Sequence, residues 1–367
     1  MILISFCTII IILVLLSTVS INGYKIIYRG REYKLDINTW GIILFEFILI
    51  ITSSIRYGFI DTYAYRIMYR LSKENLEYVY SAPWGVESSW LYLFYLLNKI
   101  STDPKLMQLV VSSVIISAFV YIIRKYSADT ALSLWIFFCL VYMGTNNGIR
   151  QYFAMAITLW AFPLIIKKKY ITYILITFIA SQIHTSALIC LLIPLIATGT
   201  YMNIRVKSLI VICMCFMFFP KIVNQWFSFI FGESKYVDYF SSTKAGMSIL
   251  RAIVTAGVPQ ILAKCYVSNS KKIGIKLSKE KSLLLNILIL DVVFTIMGIY
   301  MQYWARVGAY FSFASICLIP IMIREVFTKN NQKFLKILVI ILYFIFFTYN
   351  IYTYFISGDL NSFRLDI

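Results

Sequence analysis

The chain holds a single histidine, His184, among its 367 residues. That argues against a zinc site, whose ligand sets draw on several His and Cys side chains; a divalent ion held by Asp and Glu alone stays open. Acidic residues are few, 16 against 34 Lys and Arg, and charged residues are only 14% of the chain. Its 15 glycines form no phosphate-cradling loop, which argues against nucleotide hydrolysis. The cysteines Cys7, Cys139, Cys190, Cys213, Cys215, Cys265 and Cys317 all lie in apolar runs without metal or disulfide spacing, and read as small membrane hydrophobes. No stretch reads as a soluble domain. No internal repeat supports a two-fold transporter architecture, although such repeats are often invisible in sequence.

What the chain does have is hydrophobicity: 60% of residues are apolar and the mean hydropathy is +0.80. Segments of about 17–20 apolar residues recur, the length that crosses about 30 Å of hydrocarbon. The expected spans are 2–20, 40–56, 106–123, 130–146, 150–166, 170–186, 187–199, 206–222, 247–265, 282–300, 305–323 and 334–354. The chain therefore reads as an all-α, polytopic integral membrane protein of about twelve transmembrane helices in a single transmembrane domain, 1–367. A net charge of +18 could suggest nucleic acid, but the lysines and arginines sit in short loops between apolar spans, where they signal topology. No nucleic-acid partner is expected. Residues Met1–Ile21 carry their positive charge after the apolar stretch, at Lys25, Arg29, Arg31 and Lys34, unlike a signal peptide; they read as an uncleaved first span with its N-terminus outside.

Residues Ser88–Ile100, "SSWLYLFYLLNKI", are apolar but short for a span, and suit an outward-facing interfacial or re-entrant helix. Charge supports that choice. If the segment does not cross, every strongly basic short loop, such as Arg124–Lys125, Lys167–Lys169 and Lys271–Lys281, falls inside, as the positive-inside rule requires. The outer face is then built from loops at about 56–105 and 221–246, and from tight turns near Asn146–Gln151, His184 and Met301–Arg306.

That face carries arginines which topology does not explain: Arg56, Arg66, Arg70, Arg150, Arg251 and Arg306. A guanidinium grips phosphate or carboxylate through a planar fork. Arg150 and Arg306 are each expected to open an apolar helix, where free N–H groups and the helix dipole add positive potential suited to a pyrophosphate. Snorkelling to headgroups or pairing with nearby acids is the alternative. Asn146, Asn147 and Gln151 around Arg150 favour a cavity there. His184, among Ser181, Gln182 and Thr185, is a candidate general base or a hydrogen-bonded structural histidine. Glu87, between Trp84 and Trp90, and Asp61, followed by Tyr63, Tyr65, Arg66, Tyr69 and Arg70, are candidates for an acid or base or for orienting a sugar. The aromatics there suit sugar stacking and suit a membrane-interface belt equally well. Glu46 and Asp291 fall inside spans, as a structural pair or a proton-coupled carrier would place them.

The block "GIRQYFAMAI…KKKYITYILITFIASQIHTSALICL" resembles the EpsG family of Wzy-like polysaccharide polymerases. It is carried by Arg150, Gln151, Ala154, the Lys167–Lys169 turn, Ala180, His184, Ser186 and Ala187. "DTYAY" at Asp61–Tyr65, Glu87 before an amphipathic helix, and "RVGAYF" with Arg306, Tyr310 and Phe311 extend the likeness over about 40–325. The resemblance implies a metal-independent membrane glycosyltransferase of the GT-C class, needing no cofactor, in the bacterial inner (cytoplasmic) membrane with its site facing the periplasm. Its donor and acceptor would be undecaprenyl-pyrophosphate-linked oligosaccharides, for O-antigen, capsule or exopolysaccharide; a chain-length regulator as a further partner is left open. In that setting Arg150 and Arg306, with Arg251, hold the pyrophosphate. His184 or Glu87 takes the acceptor proton, and Asp61, Tyr65, Arg66, Gln151 and Tyr310 bind substrate. A flippase for the same lipid-linked sugars and a ligase of the same fold are the competing readings.

Overall fold

The computed structural model describes residues 24–28, 31–35, 37–73, 76–81, 85–197, 199–218, 246–274, 276–356 and 364–365. The expected first span at 2–20, Trp84 and nearly all of the outer loop 221–246 lie outside them. In chain order the elements are β1 (Tyr24–Tyr28), β2 (Arg31–Leu35), α1 (Ile37–Ser54), β3 (Arg56–Gly58), α2 (Thr62–Leu71), α3 (Leu76–Tyr80), α4 (Ser88–Asn98) and α5 (Pro104–Tyr126). Then come α6 (Thr130–Thr145), α7 (Ile149–Ile166), α8 (Tyr170–Ile183), a 3-10 turn at Thr185–Leu191, α9 (Leu192–Ile196) and α10 (Ile204–Phe218). The last are α11 (Ile249–Ala252), a π turn at Ile253–Gly257, α12 (Val258–Lys272), α13 (Lys279–Tyr300), α14 (Gln302–Gly308), a 3-10 turn at Ala309–Phe311, α15 (Phe313–Val326), α16 (Lys329–Ile356) and β4 (Arg364–Leu365). Among the described residues the regular structure is helical apart from two short antiparallel ladders, β1–β2 and β3–β4.

Helices occupy each expected stretch between 40 and 354. Among the described residues α5, α7, α13 and α16 are long and apolar enough to cross a bilayer, and a fifth crossing results if the bent α14–α15 pair is one span. The rest are shorter. This is a helical membrane protein. Its chain divides into two compact units: Met1–Ser81, Ser88–Ala156 and Lys336–Ile367 form the first, and Ala82–Glu87 with Ile157–Leu335 the second.

In the first unit, α5 begins where Asp103 accepts a hydrogen bond from the Lys105 N–H at 2.9 Å and Pro104 pre-sets the first turn. Its 23 residues reach about 34 Å, enough to cross hydrocarbon. Arg124 and Lys125 close it, where cations complement the helix dipole. Helix α1 packs on α5, and there the deep acid Glu46 accepts a 2.5 Å hydrogen bond from Ser117. The loop at 56–105, expected on the outer face, is largely helical. Its 11-residue α4 spans only about 16 Å and lays Trp90, Leu91, Phe94 and Leu97 inward. Asn98 ties it down by donating to the Tyr69 carbonyl at 2.7 Å, and Tyr69 donates to Ser101 O at 2.6 Å.

The second unit is organised on α13, capped by Ser278 at the Lys281 N–H. Asn286, buried within this apolar helix, accepts from Met202 N and donates to Thr200 O, both at 2.9 Å, so its amide meets backbone instead of lipid. Lys281 pairs with Glu325 at 2.7 Å, and Tyr266 donates to the same carboxylate at 2.8 Å, tying α12, α13 and α15. Asp291 is buried in α13, and its Oδ2 meets no hydrogen-bond partner among the described residues. The hairpin α13–α14 is so close that a Cβ on Gly298 would lie 2.8 Å from the Ala305 Cβ.

That hairpin corrects one expectation. Arg306 does not open a long helix. It lies in the last turn of the seven-residue α14, and the long helix α15 begins only at Phe313 after a 51° bend. A cation at that end meets the negative pole of its own helix, so an N-terminal anion site does not form around it.

Candidate functional site

The polar residues singled out by sequence fall into two clusters, one in each unit. The cluster in the second unit is built on the break after α8. His184 ends α8 by donating its N–H to Ala180 O at 3.2 Å, then turns the chain extended, with φ −154° and ψ 114°. The tight turn that follows aims two consecutive residues at two different partners. Thr185 donates its backbone N–H and its hydroxyl to Glu87 Oε1, at 3.2 and 3.3 Å. Ser186 donates its backbone N–H to His184 Nδ1 at 3.3 Å, with its Oγ 3.0 Å from the same nitrogen.

Two residues before Glu87, Gly85 has a φ of +63°, in the left-handed region that favours glycine. Glu87 belongs to the second unit, as Thr185 does. The far side of the cluster is Tyr310, in the 3-10 turn after α14. It is 1% exposed and its phenol lies 3.0 Å from Ser186 Oγ. Phe311 stacks on Phe294 of α13, ring centroids 5.6 Å apart, which holds that turn. The structure thus brings Glu87, His184 and Tyr310 together through Thr185 and Ser186. Arg306 precedes the Tyr310 turn and is exposed. Arg251 is half-buried at the start of the α11–α12 run, and among the described residues no hydrogen bond or ion pair joins it to Glu87, His184 or Tyr310.

The cluster in the first unit surrounds Arg150, the second residue of α7. Its Nε donates to Tyr65 OH at 3.3 Å. Tyr65 stands edge-on to Trp90, with centroids 6.3 Å apart, and Trp90 packs against Phe94 and Phe153 at 4.9 and 5.6 Å. Trp90 is fully buried, so it is a packing residue that holds α4 against α2 and α7, not an exposed platform. Gln151 is buried beside Arg150. Arg66 is also interior: its Nη1 donates to Gln108 Oε1 at 3.2 Å and its guanidinium lies 4.7 Å over the Tyr57 ring. Arg56 is buried with it, donating to Thr62 Oγ1 and to the Ser53 carbonyl. Asp61 is exposed at the N-terminal end of α2.

Thr185 and Gln108 carry no motif that names them in sequence. The signal for Thr185 was its place directly after a helix-ending histidine, where Ser and Thr side chains act locally on backbone and neighbours. Among the described residues no three His, Cys, Asp or Glu side chains gather where a metal ion would sit.

No curated protein and no solved structure matches the chain. The sequence model of the EpsG family matches residues 39–360, further toward the C-terminus than the limit near 325 expected above. The match covers both clusters, from Asp61 to Tyr310, and the chain belongs to the EpsG family, a family of Wzy-like polysaccharide polymerases.

Proposed function

We propose that this protein moves a growing glycan from undecaprenyl pyrophosphate onto the non-reducing end of a new lipid-linked repeat unit. The reaction would build O-antigen, capsule or exopolysaccharide at the periplasmic face of the bacterial inner membrane. The observation that supports this reading best is the Glu87–Thr185 and His184–Ser186–Tyr310 cluster, inside the stretch that matches the family. It offers a carboxylate and an imidazole, each oriented by its own donors, as hydroxyl activation requires. About twelve spans in a GT-C-like arrangement, and a chain-length regulator as partner, belong to the same proposal.

The chemistry balances without a cofactor. The acceptor hydroxyl oxygen attacks the anomeric carbon of the donor. The bond from that carbon to the pyrophosphate oxygen breaks, and its electrons leave with undecaprenyl pyrophosphate. The hydroxyl proton passes to Glu87 or His184, and attack opposite the leaving group inverts the anomeric centre. Guanidinium groups stabilise the charge as it develops on the leaving pyrophosphate. Arg150, Arg306 and Arg251 are assigned to that task, and the Arg150 Nε donates to Tyr65 OH. Asp61, Arg66, Gln151 and Tyr310 are assigned to substrate binding, directly or by holding the groups that touch it.

The test is surface polysaccharide from cells lacking the gene, resolved by gel and complemented with wild type or variants at equal membrane levels. Loss of the ladder to single-repeat glycan, restored by wild type, supports the polymerase. A null strain that displays no repeat unit at all favours a flippase, and an intact ladder in the null strain overturns the reading.

A further inference from the structure

We infer that His184 is held as its Nε2–H tautomer and works as a hydrogen-bond donor that positions the acceptor sugar, so that Glu87 is the group that takes the proton. Ser186 and Tyr310 are the positioning residues that enforce this division. The inference rests on the polymerase reading above for its chemistry, and on geometry for the tautomer.

The geometry leaves one consistent assignment. A backbone amide only donates, so the Ser186 N–H at 3.3 Å requires a lone pair on His184 Nδ1. A neutral imidazole has one accepting and one protonated nitrogen, so the ring proton is on Nε2. With Nδ1 an acceptor, the Ser186 hydroxyl at 3.0 Å also donates to it. The Ser186 oxygen then presents lone pairs to Tyr310, whose phenol donates across 3.0 Å. The hydrogen bonds run one way, from Tyr310 to Ser186 to His184. Tyr310 is 1% exposed, so bulk water is not an alternative partner for its hydroxyl.

This direction decides what each group can do. The only lone pair of the neutral ring is spent on Ser186. A proton added there would set an imidazole N–H against the Ser186 amide N–H and force the hydroxyls to reverse. Nε2 offers a proton and takes none. Glu87 stands in the opposite condition: a carboxylate only accepts when ionised, and Thr185 orients it through two donors on a single oxygen, Oε1. In the transfer, the acceptor O–H bond breaks as the new carbon–oxygen bond forms. The proton passes to the Glu87 carboxylate while the His184 N–H holds the acceptor by a hydrogen bond.

His184 is the only histidine in the chain, so labelling with ¹⁵N-histidine reports one imidazole in the full-length protein in nanodiscs. The expected spectrum is that of a neutral ring protonated at Nε2, and Tyr310→Phe and Ser186→Ala should shift it toward tautomer exchange. The second readout is in vitro polymerisation of purified lipid-linked repeat units. There His184→Gln, whose amide N–H replaces the Nε2 donor, should stay within about tenfold of wild type, the scale of one neutral hydrogen bond. Glu87→Gln should fall by about a hundredfold or more, the scale of a lost general base. A ring protonated at Nδ1, or His184→Gln inactive while Glu87→Gln retains the wild-type rate, overturns the inference. Wild-type protein that makes no polymer from these units sinks the polymerase reading and the role assigned to His184, while the spectrum still decides the tautomer.

Discussion

Thr185 gives Glu87 two donors, the backbone N–H at 3.2 Å and the hydroxyl at 3.3 Å, and both reach the same carboxylate oxygen. A hydrogen bond to a charged group contributes about 1.5–3 kcal/mol. Thr185→Val keeps the amide and the shape and removes the hydroxyl. Polymer formation should fall about tenfold or more at unchanged membrane level, with Thr185→Ser close to wild type. Full activity in Thr185→Val would mean that the carboxylate orientation does not matter.

The Arg150–Tyr65 bond makes a sharper distinction. If the fork of Arg150 binds pyrophosphate, Arg150→Lys keeps the charge but loses the planar fork held at 3.3 Å by Tyr65. Both Arg150→Lys and Arg150→Ala should then lose about 3 kcal/mol of transition-state stabilisation, about a hundredfold in rate. Initial rates on purified lipid-linked units would measure this. Wild-type turnover by Arg150→Lys would leave Arg150 a structural partner of Tyr65.

Gly298 tests the hairpin that carries the Tyr310 turn. A Cβ there would sit 2.8 Å from the Ala305 Cβ and 2.9 Å from its Cα and N, and that backbone has no flexible end to move aside. Gly298→Val should cost about 1–3 kcal/mol, seen as a lower thermal midpoint in detergent and less protein in the membrane. Gly257→Ala is the control, because its nearest neighbour would be the Ile253 side chain at 3.9 Å. Equal midpoints for the two variants would show that the hairpin relaxes.

Tyr69 makes alkaline pH a probe of the loop at 56–105. Burial first, and then the charge of Asp103, push its phenol from 10.0 up to about 12. A group whose folded value is raised stabilises fully below its unfolded value, and that contribution is lost as pH rises toward the folded one. Protease resistance of the 56–105 loop should therefore hold below pH 10 and weaken toward pH 12. Tyr69→Phe, which deletes the 2.6 Å bond to Ser101 O, should cost about 1 kcal/mol below pH 10 and show none of that alkaline loss.

The helices were legible because apolar length is a local property. Each expected stretch from 40 to 354 holds a helix, and the short segment at 88–100 forms the 11-residue α4. The Asp103–Pro104 start of α5 is likewise local, a cap and a preset dihedral. The arginines were not legible in the same way. Arg66 looked like an outward contact and is interior, on Gln108 at 42 residues' separation. Arg306 looked like a helix start and is a helix end, because the Gly298–Ala305 approach folds α14 back on α13.

By itself the sequence determined a helical membrane chain, the family it belongs to, and the residues from which a site could be drawn, since hydropathy and motif spacing are read along the chain. Only the tertiary structure decided which of them meet. Glu87 finds Thr185 across 98 residues and Ser186 finds Tyr310 across 124. The Ser186 N–H that fixes the tautomer of His184 is local to its turn, two residues on, but Tyr310 and Glu87 reach that turn only when the helices pack.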